Sequence, residues 1–148
     1  MATEAGRADR PDADDGAHEA ARPAARVVVL ADDLIWATRL AGIVRAAGAA
    51  PVAARRREDI PVASIGAAGA IVDLTTRAYD GVAMVAELVA AGVPVICAAQ
   101  HDDPDLRRRA LAAGADRVLA YRALHERGAA LLAGWPVPAT ATSGQGTA

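Results

Sequence analysis

Lysine is missing from this chain: all sixteen basic residues among its 148 are arginine. That absence removes the side-chain ammonium group from the protein's chemistry. Phenylalanine is also absent and aromatics make up only 3% of the residues, so the core must be Val, Leu, Ile and Ala. There is one cysteine, Cys97, which excludes an internal disulfide and fits a reducing compartment. No apolar run is as long as a membrane span, and the polar, acidic N-terminus has no signal-peptide core. These features predict a cytoplasmic protein without a membrane partner. A net charge of −2 argues equally against a dedicated nucleic-acid binder.

What is present is enough for one domain: 53% apolar residues and 23% charged ones. Residues 1–24 are rich in Ala, Asp, Arg and Pro without periodicity, which predicts a disordered tail. The Pro, Thr, Ser and Gly of 136–148 predict a second tail, with no output domain after Trp135. The folded part is expected over 25–135.

Within it, short apolar runs alternate with amphipathic ones. Arg26–Leu30 is a β-branched run suited to a strand covered on both faces. Asp32 and Asp33 supply helix-start chemistry. Leu40, Ile43, Val44 and Ala47 then form one helical stripe, ended by Gly48. Pro51–Ala54 reads as an edge strand because it opens on proline. Pro61 and Gly66 break residues 55–69 into a short or irregular helix. Ala70–Asp73 is the third strand and Val82–Ala90 the third helix; Pro94–Ala98 is the fourth strand. Asp103-Pro104 starts a helix over Asp105–Ala113, and Arg117–Ala120 and Leu124–Ala133 complete the series. Five strands, each followed by a helix, predict a parallel sheet with helices on both faces.

Asp73 ends the third strand, and the C-terminal edge of such a sheet is where ligands bind. A carboxylate there needs a partner or water. Gln100 and His101 reach the same edge, with His101 expected as an exposed loop residue. The other histidines, His18 and His125, are too scattered to form a metal cluster. Cys97 within a strand is read as a small buried hydrophobe. Gly66-Ala-Ala-Gly69 precedes a strand, whereas a phosphate-cradling loop follows one, so it reads as a turn. No nucleophile–base pair is visible, which argues against an enzyme.

In order and at these separations, the segments resemble the receiver domain of bacterial two-component response regulators. The resemblance spans nearly all of residues 26–133. It rests on Arg26-Val-Val-Val-Leu-Ala-Asp32, on Asp73 through Asp80-Gly81, on Pro94-Val-Ile, and on Ala112-Ala-Gly-Ala-Asp-Arg-Val-Leu119. It implies a flavodoxin-like (βα)5 three-layer sandwich with strand order 2-1-3-4-5. It makes Asp73 the phosphoacceptor candidate, and Asp32, Asp73 and the Thr75 carbonyl a weak Mg2+ site. It also exposes departures. Ala31 falls at the family's first acidic residue, Ala99 at its hydroxyl residue, Tyr121 at its lysine, Arg122 at the proline after it, and Arg77 at the loop proline. The expectation is a degenerate, stand-alone receiver that signals by protein–protein contact with little or no aspartyl phosphorylation. Its partner would be a histidine kinase, a downstream regulator or a second copy. The expected contact face is Arg107, Arg108, Arg109, Arg117, Tyr121 and Arg122. The alternative is a flavodoxin-like domain or enzyme that binds a small ligand at the C-terminal edge of the sheet.

Overall fold

The computed structural model describes residues 23–136; most of both expected tails lies outside that range. The sheet has five parallel strands: β1 (Arg26–Leu30), β2 (Ala50–Ala54), β3 (Gly69–Asp73), β4 (Val95–Ala99) and β5 (Arg117–Ala120). Their order is β2-β1-β3-β4-β5, the flavodoxin-like arrangement that the family resemblance implies. The helices are α1 (Leu34–Ala46), the single turn α2 (Ile60–Ala63), α3 (Gly81–Ala90), α4 (Pro104–Ala112) and α5 (Tyr121–Leu132).

Parallel strands alternate their side chains between two covered faces, and this sheet has two cores accordingly. Val27, Val29, Ala31, Ile71 and Ile96 pack against Leu40 and Val44 of α1 and Leu124 and Leu132 of α5. Val28, Leu30, Val72, Val95 and Cys97 pack on the other face against Ile60 of α2, Met84, Val85 and Leu88 of α3, and Ala110 of α4. Central strands β3 and β4 are buried at every position, which is why they read as unbroken apolar runs.

The helix starts carry their own chemistry. Asp33, Asp80 and Asp103 each accept a hydrogen bond from a first-turn amide, of Trp36, Ala83 and Leu106. Gly48, with φ of 89°, lets the chain turn back after α1 where a side chain would be strained. The broken stretch after β2 is a 3-10 turn, Arg57–Asp59, running into α2. Asp59 holds that turn by accepting the amides of Arg55 and Arg56, at 2.8 and 3.1 Å, and these bonds pull its carboxyl below the usual range.

β2 is an edge strand, as its proline indicated. The Ala50 amide donates inward to Ala25 and the Ala54 carbonyl accepts inward from Ala31. In a parallel pair a residue's two backbone groups point the same way, so Pro51 and Ala53 face outward. The missing N–H of Pro51 therefore blunts the open edge against further strand pairing.

Candidate functional site

Asp73 closes β3 at the C-terminal edge of the sheet. It is 1% exposed and is the sole buried charged residue among the described residues. Strand parity points it to the face shared by α1 and α5, since Ile71 packs there while Ala70 and Val72 pack on the other. Its Oδ1 accepts hydrogen bonds from the Thr75 amide at 2.9 Å, the Thr75 hydroxyl at 2.8 Å and the Tyr121 hydroxyl. The Thr75 and Tyr121 hydroxyls are themselves 2.8 Å apart. Two hydroxyl protons serve this triangle of three oxygens, so with both hydroxyls donating to Asp73 none is left for the third side.

Tyr121 reaches the carboxylate from the first residue of α5. Its ring lies against Trp36 of α1, with centroids 4.0 Å apart and planes tilted by 42°. The Arg39 guanidinium sits 5.3 Å from the centre of the Trp36 ring. Burial pushes the Tyr121 phenol above its ordinary range, and its bond to Asp73 pushes the same way. A second tyrosine braces the edge from the other core. The Tyr79 hydroxyl lies 2.9 Å from both the Leu30 and Asp73 carbonyl oxygens, tying the tips of β1 and β3 together. Its phenol is also raised, first by burial and then by the Asp73 charge. Tyr79 was missed in the sequence. The signal was an aromatic residue in a polar loop of a chain that has only four aromatics.

The positions around Asp73 are small and apolar. Register places Leu30 beside Val72, so Ala31 is the residue level with Asp73. Its methyl is fully buried. Asp32 follows at the same edge but is exposed, and the Arg55 guanidinium donates to its backbone carbonyl at 3.2 Å. Ala99, 2% exposed, ends β4 one residue beyond the level of Asp73. Among the described residues no guanidinium hydrogen-bonds to Asp73. Arg122 turns away to Glu126 at 3.0 Å, and Arg77 is exposed.

As a metal site the arrangement is poor. Mg2+ needs a few well-placed oxygens and keeps several waters. One carboxylate here is exposed and the other has Oδ1 occupied by three donors. Among the described residues no group of three His, Cys, Asp or Glu side chains could hold an ion. Asp32, Asp73 and Thr75 fit only a largely hydrated ion. Gln100 and the exposed His101 line an open cavity of about 310 Å3 with Trp36, Thr75, Tyr121 and Arg122. Cys97 is buried in β4, its thiol pushed up to about 12.

The arginines proposed as a contact face are partly used within the fold. Arg107 donates to the Val118 carbonyl at 2.9 Å and Arg117 to the Leu131 carbonyl at 2.8 Å. Arg108 pairs with Asp105 at 3.1 Å, Arg109 is exposed, and Tyr121 is turned into the site.

No protein-family model matches the chain, and no curated protein matches it. Its likeness is to solved structures. NtrX from Brucella abortus matches with a TM-score of 0.64 and 21% identity over 74% of this chain and 25% of that one. A response regulator from Burkholderia pseudomallei, solved with a phosphorylated aspartic acid, a calcium ion and citrate, matches at 0.62 and 21% identity, over 74% and 65%. A signal receiver domain from Bermanella marisrubri matches at 0.59 and 21% identity, over 72% and 97%. The chain thus spans a quarter of NtrX and just under two thirds of the Burkholderia regulator, but nearly all of the isolated receiver. The fold of this chain is therefore that of a response-regulator receiver domain.

Proposed function

We propose that this protein is a degenerate receiver that signals through protein contacts and takes little or no phosphate on Asp73. The observation that carries this reading is the Tyr121 hydroxyl on Asp73 Oδ1. Phosphoryl transfer to a carboxylate depends on positioned cations that neutralise the charge on the transferred group. A neutral phenol held above its normal pKa range supplies none, and it occupies one oxygen of the carboxylate. The methyls of Ala31 and Ala99 replace the remaining polar contacts. The protein would then act on a kinase, a downstream regulator or a second copy by shape and surface charge, and not as a catalyst.

The test is incubation with acetyl phosphate and Mg2+, read by intact mass. Wild type should stay almost unmodified, and the triple variant Ala31→Asp, Ala99→Thr, Tyr121→Lys should gain label that Asp73→Asn removes. Stoichiometric, base-labile labelling of wild-type Asp73 would refute the degenerate reading. A second reading, a small-ligand site at this edge, is favoured by the open cavity beside Gln100 and His101. It requires saturable ligand binding that is lost in His101→Ala and Gln100→Ala.

A further inference from the structure

An open groove of about 490 Å3 runs between α1 and α5 on the Asp73 face of the sheet. Its floor is apolar and small, with Ile43, Leu124 and Gly128. Its rim is basic, with Arg39 on one helix and Arg127 on the other. Among the described residues these two arginines make no hydrogen bond to a carboxylate and no ion pair. Among the described residues Glu126 is the one acidic residue lining the groove, and Arg122 already pairs with it.

The charge on the rim that is left unpaired among the described residues is of one sign, and that selects the occupant. A second copy docked face to face would set Arg39 and Arg127 against themselves, which is repulsive. An acidic segment built of small residues suits both the charge and the shallow floor. The chain contains one. Residues 1–22 hold six carboxylates against three arginines, a net charge of −3, so the remaining residues carry +1 of the chain's total of −2. Asp12, Asp14 and Asp15 are concentrated there among Ala and Gly.

The point of departure is suitable too. The Ala25 carbonyl accepts from the Ala50 amide at 2.8 Å, at the sheet edge where α1 ends with Ala46. From Ala46 back to Trp36 the groove follows α1 for about 15 Å, at about 1.5 Å per residue. Extended chain covers that distance in about five residues at ~3.3 Å each, and ten separate Asp15 from Ala25. We infer that the acidic segment around Asp12, Asp14 and Asp15 docks in the α1–α5 groove, on Arg39 and Arg127. There it shields the face from other proteins and lies against the Trp36 ring that covers Tyr121. This inference does not depend on whether Asp73 takes phosphate.

The experiment uses the full-length chain with a nitroxide on Ala13→Cys, the buried Cys97 remaining unlabelled. Amide signals are read by NMR. Loss of intensity should concentrate on residues 39–46 and 125–130. It should disappear in Arg39→Glu, Arg127→Glu and at about 1 M salt, where the screening length is ~3 Å. Restoring opposite charge with Asp12→Arg, Asp14→Arg, Asp15→Arg in the Glu double variant should bring it back. Broadening spread evenly over the surface, or centred on another face, would overturn the inference. So would broadening that survives Arg39→Glu, Arg127→Glu alone, or groove amides that stay sharp in wild type, which would leave the face to an acidic partner protein.

Discussion

Asp73 could be singled out from sequence because a carboxylate at the end of a buried strand is costly and therefore conspicuous. Its actual partner could not, since Tyr121 lies 48 residues away and reaches it only through the pairing of β3 and β4 and of β4 and β5. Removing that donor leaves a buried charge with one fewer hydrogen bond. Tyr121→Phe should lower stability by about 1.5–3 kcal/mol in urea unfolding, the range for a bond to a charged group. The tyrosines also set an alkaline limit. Both Tyr79 and Tyr121 have folded-state pKa values raised above the ordinary 10.0, so the folded protein keeps protons that the unfolded chain releases. Their contribution is complete below about pH 10 and is lost as pH rises beyond it. Because these are the chain's only tyrosines, tyrosinate absorbance should appear together with unfolding, not before it. A native-state titration of either phenol near pH 10 would contradict their burial.

At the scale of elements, α5 differs most from expectation. The sequence predicts its start at Leu124, but the helix begins at Tyr121 behind Ala120, which offers no side-chain cap. The start is set by tertiary contacts of the Tyr121 ring with Trp36 and Asp73, and no local signal marks it. The helix is also kinked at Arg127, whose φ of −139° and ψ of 24° are not helical. The next residue, Gly128, lies so close to α1 that a Cβ there would come within 2.7 Å of Ile43 Cγ2. Gly128→Ala should gain up to about 1 kcal/mol of helix propensity. It should lose more to overpacking, at about 1–3 kcal/mol. A net loss of about 1 kcal/mol is expected, with an Ile43→Val partner change restoring part of it in a double-mutant cycle. The short α2 was easier to foresee, because Pro61 and Gly66 leave little room for a longer helix.

At the scale of the whole fold, two cores share one sheet, so a single cooperative unfolding transition is expected. Cys97 should report it: a buried thiol pushed up to about 12 stays unreactive until the sheet opens. Its labelling rate should therefore follow global stability across urea concentrations; labelling that is fast and independent of urea would mean that β4 opens locally. The alternation of strands and helices, and with it the layered parallel sheet, was legible in the sequence. Apolar periodicity and aspartate caps are local, and each sits within a few residues of the element it specifies. The missing lysine was also a fact of sequence, and it excluded one cation from the Asp73 site. What stands against the Asp73 carboxylate was decided by tertiary structure. Three of four scarce aromatics, Trp36, Tyr79 and Tyr121, meet at one sheet edge, drawn from a helix, a loop and another helix. Side chains so far apart in sequence become neighbours only through strand order and register. The same long-range geometry turned a conspicuous carboxylate into one already held by a phenol.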